Sequence, residues 1–223
     1  MTRVKGSRGV HAPVVFLAVI LALVAAAPAG AVGATIALAP LAGPPTTRVA
    51  VRGNGFGASE HVAIDFGPTA VGSATTSATG GVSTSFRVPP AAQPGPHTVT
   101  VTGQTSGLMA SARFLVRTDW TRFRFNLAGS GTNPFENVLS TANVAGLVPA
   151  WTSPTNASLY SSPSVAGGIV YTGAGDGNVY ALNAITGAVV WTHSTGQAVV
   201  SSPDIVKGVL YTGSGSSSVF ASW

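Results

Sequence analysis

The chain has 223 residues, enough for one or two domains, with 8% charged residues, 28 glycines, 15 prolines and no cysteine. This composition favours short strands and turns over solvated helices, so we expect an all-β protein. The net charge of +5 is concentrated at the N-terminus: without Arg3, Lys5 and Arg8, eight basic residues face six acidic ones, a net +2. That balance argues against nucleic acid as a partner.

Residues 1–34 have the pattern of a signal peptide. The basic segment MTRVKGSRGVH precedes the apolar run PVVFLAVILALVAAA, and small residues offer cleavage sites near Ala29 and Ala34. The run is shorter than the roughly 20 residues that span a bilayer, and Pro28 lies directly after it, which disfavours an uncleaved anchor. We therefore expect a secreted or cell-surface protein with no membrane contact beyond this segment. Because cysteine is absent, the exported chain must be stable without disulfides.

Residues 35–117 contain short alternating segments bounded by Gly or Pro. The predicted strands are Arg48–Arg52, Val62–Gly67, Ser85–Pro89, His97–Gly103 and Ala112–Arg117. Their spacing of about ten residues predicts a small antiparallel sandwich.

Two features of this region have both a functional and a structural interpretation. Gly53-x-Gly55-x-Gly57 resembles a phosphate loop, but no helical pattern comes after it, so we interpret it as a strand bulge. His61 and His97 lack a neighbouring cluster of ligand residues, so we predict surface histidines and no metal site.

The motifs of this region are similar to those of a known family. VRGNGFG begins at Val51, VAIDFG at Val62 and GPHTVTV at Gly95, and FLV begins at Phe114. Together they resemble an IPT/TIG-type immunoglobulin-like domain. The resemblance implies a spacer, or an adhesive or carbohydrate-associated module.

Residues 118–223 contain an internal repeat. SSPSVAGGIVYTG, which starts at Ser161, returns forty residues later as SSPDIVKGVLYTG, and Trp151 aligns with Trp191. A fixed period near 40 is typical of repeat architectures. Each unit divides into four short strands, here Ser162–Val165, Ile169–Thr172, Asn178–Leu182 and Ala188–Thr192. We therefore predict β-propeller blades, with the second strand buried on both faces.

The repeat resembles the pyrroloquinoline quinone (PQQ)-type propeller repeat. Its A-x-D-x-x-T-G-x-x-x-W motif is matched from Ala181 to Trp191, with Asn183 in place of the acid. We predict that Asn183 bonds the amides of its own turn and that Trp151 and Trp191 fill gaps between blades. The entry segment Asp119–Trp151 is similar to the stretch preceding the first blade in this family. Its alternating arginines and aromatic residues predict a strand with one charged and one aromatic face.

The predicted fold class is therefore an Ig-like β-sandwich (35–117) and an incomplete β-propeller (118–223). Propellers typically have 4 to 8 blades, and Trp223 aligns with Asn183 inside the docking motif. We therefore expect an N-terminal portion of a longer propeller, whose missing blades would be its first partners.

The resemblance implies either a cofactor-free scaffold or a quinoprotein dehydrogenase. We predict a secreted or cell-surface binding or scaffold protein, with a protein or a cell-wall polysaccharide as partner. No catalytic, cofactor-binding or metal-binding residue is predicted, because the carboxylates after the leader are unpaired in sequence. They are Glu60, Asp65, Asp119, Glu136, Asp176 and Asp204. The alternative is the N-terminal fragment of a polyvinyl-alcohol-type dehydrogenase whose active-site blades are missing; only there are PQQ and calcium expected.

Overall fold

The computed structural model describes residues 33–215 and 219–222. The predicted signal peptide lies outside the described residues except for its last two positions. The first half contains the strands β1 (Thr35–Ala39), β2 (Ala42–Gly43), β3 (Arg48–Asn54), β4 (His61–Phe66), β5 (Thr69–Thr75), β6 (Val82–Arg87), β7 (Gly95–Gly103) and β8 (Met109–Val116). The second half contains a short 3₁₀ turn (Val144–Gly146) and the strands β9 (Ser164–Ala166), β10 (Ile169–Gly173), β11 (Asn178–Asn183), β12 (Val189–Ser194), β13 (Asp204–Val206), β14 (Val209–Gly213) and β15 (Val219–Ser222).

Strands β1 to β8 form a sandwich of two sheets. One sheet has the order β1-β3-β6 and the other β2-β8-β7-β4-β5, with β2 parallel to β8. Alternation along β3 buries Val49 and Val51 and exposes Arg48 and Arg52, as the period-2 pattern predicts. Phe114 on β8 is fully buried in the same core. The sequence therefore folds as an Ig-like sandwich because the apolar positions of both sheets face one shared interior.

Three details of the sandwich differ from the sequence prediction. Strands β1, β2 and β5 were not predicted, and β6 and β8 each begin three residues before the predicted Ser85 and Ala112. The predicted bulge at the glycines is wrong: β3 ends at Asn54, and the chain then turns at Gly55 (φ 85°) and crosses to the other sheet at β4. Small residues dominate β5, which lies at a sheet edge and is largely exposed, so its hydrophobic pattern is weak.

The repeat region forms two sheets of the same design. The first is fully antiparallel with the order β12-β11-β10-β9, which confirms the predicted four strands per unit. The second contains β13-β14-β15. The most buried strand is β11, whereas β10 is half-buried along most of its length, contrary to prediction. The fold class is confirmed as an all-β chain with an Ig-like sandwich followed by part of a β-propeller.

The doubled SSP…YTG phrase has a specific structural role. Ser161 Oγ accepts a hydrogen bond from the Gly173 amide at 2.8 Å and donates to the Gly173 carbonyl at 3.0 Å. Ser201 makes the same two contacts with Gly213, at 2.7 and 2.9 Å. In each unit the serine thus connects the segment before the first strand to the end of the second strand. It also provides the acceptor for the backbone amide of Gly173 or Gly213.

Candidate functional site

The two repeat sheets approach each other at their first strands, β9 and β13. In a propeller, blades surround a central axis and neighbouring blades come closest beside it, so we call the edge formed by β9 and β13 the inner edge. Residues Asp119–Arg122, which we call the strap, cross it. Trp120 exchanges two backbone hydrogen bonds with Val165, at 2.8 and 2.7 Å, and the Ile205 amide donates to the Thr121 carbonyl at 2.8 Å. The strap therefore pairs with both sheets.

Charged side chains add to this backbone pairing. Arg122 Nη2 lies 3.1 Å from Asp204 Oδ1 and forms an ion pair with it. This carboxylate oxygen is buried, and within the described residues no donor meets the angle needed for a hydrogen bond to it. Asp119 Oδ1 accepts a hydrogen bond from the Gly167 amide at 3.3 Å and lies 3.3 Å from Arg117 Nε. Both carboxylates at the inner edge are thus paired with arginines.

Two clefts open beside the strap. The first, of about 330 Å³, is lined by Asp119, Tyr171 and Lys207 among others. Burial, and then the negative charge of Asp119, raise the pKa of the Tyr171 hydroxyl above its ordinary value. Lys207 has a left-handed backbone (φ 52°) at the position where the first repeat has Gly167. The second, of about 370 Å³, is lined mainly by the residues that come after the strap, including Arg124, and we call it the Arg124 cleft.

The predicted strand across Trp120–Phe125 is wrong. Only Trp120 pairs in the ladder, and the chain then turns, with Arg124 (φ 56°) and Phe125 (φ 74°) both left-handed. The Trp120 and Phe125 rings meet edge to face at 5.1 Å between centroids. The chain therefore folds back on itself within six residues, which the alternation of arginines and aromatic residues did not predict.

The docking motif of the repeat is confirmed at Asn183, whereas the described contacts of Trp151 are with the first repeat sheet and do not show it between two blades. Asn183 Oδ1 accepts hydrogen bonds from the amides of Ile185 and Thr186, at 2.9 and 3.0 Å. The indole of Trp151 packs against the Gly187 turn and donates from Nε1 to the Ala184 carbonyl at 3.1 Å.

Trp191, which aligns with Trp151 in the repeat, lies between the two repeat sheets. It packs against a cluster of Val179 from the first sheet, Leu210 from the second, and Val199 between them. Trp191 therefore fills the gap between blades, as predicted.

Two further carboxylates also have structural partners. Asp176 accepts hydrogen bonds from the Tyr180 hydroxyl and the Asn178 amide. Burial alone would raise the pKa of Asp176, but these bonds outweigh it and the pKa is lowered. The Tyr180 pKa is raised, first by this hydrogen bond and then by burial.

Glu60 is the most strongly engaged carboxylate of the sandwich, at only 6% exposed. It accepts hydrogen bonds from the amides of Gly57, Thr105 and Ser106, at 2.6, 3.1 and 2.8 Å, and from the Ser106 hydroxyl at 2.7 Å. The Ser106 hydroxyl and amide are the main causes that lower the Glu60 pKa from 4.5 to about 2. Sequence reasoning missed this role, for which the only signal is an acidic residue between two Gly-containing turns.

The two histidines of the sandwich contact other side chains. His61 Nδ1 lies 3.3 Å from the Thr75 hydroxyl, and the His97 ring stacks on Phe66 at 4.7 Å. Among residues 33–215 and 219–222, no three His, Asp or Glu side chains gather in a way that could hold a metal ion. No helix within those residues is long and apolar enough to cross a membrane.

The chain thus combines an Ig-like sandwich with propeller-type repeat sheets against which Trp151 and Trp191 pack, so it belongs to the class of modular all-β proteins. Residues 36–115 match the family model described as IPT/TIG domain, and residues 141–221 match the model described as outer membrane protein assembly factor BamB. The chain therefore carries an IPT/TIG-type domain followed by PQQ-type repeats.

Solved structures with some similarity are more distant. BamB from Moraxella catarrhalis is 14% identical with a TM-score of 0.30; the match covers 81% of this chain and 49% of that one. This chain thus spans about half the length of that structure. Macromomycin is 11% identical with a TM-score of 0.32, over 38% of this chain and 100% of its own. A search of curated proteins gave no match.

Proposed function

We propose that the chain is an exported binding or scaffold protein of the secreted or cell-surface kind. In this proposal the IPT/TIG domain is a spacer, the PQQ-type repeats present a docking platform, and no catalytic step or cofactor belongs to this chain. The partner is a protein or a cell-wall polysaccharide.

The observation that carries the proposal is that the strap is hydrogen-bonded to both strands of the inner edge. The resemblance to PQQ-type propellers implies that their enzymes hold the quinone and calcium near the axis. In this chain the strap takes up the backbone groups of that edge at Val165 and Ile205, and the carboxylates of Asp119 and Asp204 are paired with arginines. These contacts favour a structural use of the edge over a catalytic one.

Export is tested by fractionating the native host and determining the N-terminus of the protein by mass spectrometry. We expect the mature chain to begin after Ala29 or Ala34 and to lie outside the cytoplasm. A variant lacking the apolar run of residues 14–27 is the control and should stay in the cytoplasm with Met1 or Thr2 first. Intact wild-type protein in the cytoplasm would contradict the export proposal.

Binding is tested by chemical cross-linking on whole cells, followed by identification of the cross-linked species. A reproducible set of protein or polysaccharide adducts supports the scaffold role. The competing dehydrogenase is tested by titrating the purified chain with PQQ and Ca²⁺ and recording the quinone absorbance. We expect no saturable change, and saturable binding would favour the dehydrogenase.

A further inference from the structure

The Arg124 cleft, which opens beside the strap, is lined by an arginine that forms no ion pair within the described residues. Arg122 is ion-paired with Asp204, but within the described residues Arg124 makes no ion pair and its side chain is exposed. A guanidinium has five N–H donors arranged to match a planar carboxylate. The cleft therefore has an excess positive charge with free donors.

The loop that carries Arg124 has an unusual backbone conformation that several hydrogen bonds stabilise. Its backbone is left-handed at both Arg124 and Phe125, which non-glycine residues rarely adopt. The Arg124 carbonyl accepts hydrogen bonds from the amides of Asn126 and Gly131, at 2.9 and 3.0 Å. Asn126 also bonds Ser130 through both atoms of its side-chain amide. Strained residues that the surroundings fix in this way concentrate at binding sites.

Apolar side chains flank the arginine. Phe123 is 59% exposed and Leu127 is 89% exposed, and both line the same cleft. Large apolar groups exposed next to an unpaired charge fit a ligand that has both apolar groups and a carboxylate. Alternating acidic and aliphatic residues of a peptide provide both, whereas a uronic polysaccharide lacks the aliphatic side chains.

We propose that the Arg124 cleft docks a short acidic segment of a partner protein, with a carboxylate on the Arg124 guanidinium and aliphatic side chains against Phe123 and Leu127. This inference rests on the proposed binding function and names the class of partner. It requires no covalent chemistry and no cofactor.

The test uses the full chain and a fluorescein-labelled hexapeptide, Leu-Asp-Leu-Asp-Leu-Asp, in a fluorescence anisotropy titration. We expect saturable binding that weakens when NaCl is raised from about 0.1 M to about 1 M, because the screening length falls from about 10 Å to about 3 Å. Arg124→Asn removes the charge but tolerates the left-handed backbone, and should weaken binding by about tenfold. Arg124→Lys should fall between the wild type and Arg124→Asn, because it keeps the charge but loses the planar fork.

Arg113→Gln is the matched control, because Arg113 is an exposed arginine on β8 with no ion pair in the described residues. It should bind like the wild type, and the peptide Leu-Asn-Leu-Asn-Leu-Asn should not bind. Circular dichroism confirms that each variant is folded.

The proposal is overturned by absent binding of the acidic peptide, by equal binding of the asparagine peptide, or by equal effects of Arg124→Asn and Arg113→Gln. Saturable binding of polygalacturonate that Arg124→Asn abolishes, without peptide binding, would also overturn it. These results leave the whole-cell cross-links unaffected, so failure of this inference is distinguishable from failure of the proposed function.

Discussion

The contact between Trp151 and Gly187 provides a direct test of how the entry segment is held against the first repeat sheet. Gly187 has φ +71°, and a Cβ placed there would lie 2.6 Å from both Cδ2 and Cε3 of the Trp151 indole. Real Cβ atoms essentially never come so close, so Gly187→Ala must displace the ring. Gly168→Ala is the matched control, because Gly168 has φ +82° and a Cβ there would meet nothing within 4 Å.

Both substitutions place an alanine in the left-handed region of the backbone, so both carry the same conformational free-energy cost. An alanine in the left-handed region costs about 1–2 kcal/mol, and the reduced entropy of the unfolded chain offsets about 0.4–1 kcal/mol of it. Gly168→Ala should therefore lower the free energy of unfolding by about 1 kcal/mol.

Gly187→Ala should cost more than the backbone term alone. It also breaks the hydrogen bond from Trp151 Nε1 to the Ala184 carbonyl and reduces the packing of the half-buried indole. Those losses bring the total to about 2–4 kcal/mol.

The assay is urea unfolding of the full chain, followed by tryptophan fluorescence and far-UV circular dichroism. Trp151→Ala, alone and combined with Gly187→Ala, completes a double-mutant cycle. We expect a coupling of about 1–3 kcal/mol, so that in the Trp151→Ala background the two glycine substitutions cost the same. Equal costs of the two substitutions in the wild-type chain would refute the docking role of Gly187.

Three further predictions concern single positions. Lys207→Gly should raise the free energy of unfolding by about 0.5–1 kcal/mol, because it relieves a left-handed lysine; a lower urea midpoint would contradict this. Ser161→Ala should cost about 1–3 kcal/mol, because it leaves the buried Gly173 amide without its partner, and amide hydrogen exchange at Gly173 should accelerate. Because the Glu60 pKa falls from 4.5 unfolded to about 2 folded, its stabilisation is complete above the unfolded value and is lost as the pH falls towards the folded one. Thermal melts of Glu60→Gln and wild type should therefore converge near pH 2 and differ most above pH 5; a difference independent of pH would contradict the assignment.

Much of the fold is predictable from patterns that are visible in the sequence. Strict alternation of polar and apolar residues predicted β3, and the forty-residue repeat predicted the four strands of the first repeat sheet. Strand β5 was missed because Gly72 and other small residues give this largely exposed edge strand only a weak apolar face. The turn at Arg124 and Phe125 was missed because alternating arginines and aromatic residues are compatible with a strand and give no sign of the left-handed backbone at these two positions.

The candidate site was predictable only through the differences between repeats. Asp204 stands where the first repeat has Ser164, and Lys207 where it has Gly167. Both departures from the shared pattern lie at the inner edge, beside the strap. The strap itself lies outside the repeat, so no internal comparison of the chain could have shown that Arg122 and Asp204 meet.

The ion pair of the strap also bears on how near-identical blades are told apart during folding. Repeat proteins are prone to misassembly, because one unit can take the place of another. The backbone pairing of Trp120 and Thr121 would fit either first strand, since Val165 and Ile205 are almost the same shape. A strap shifted by one unit would place Arg122 against Ser164 instead of Asp204 and lose its partner. We therefore expect the charge of Asp204 to favour pairing of the strap in its native position over pairing shifted by one repeat.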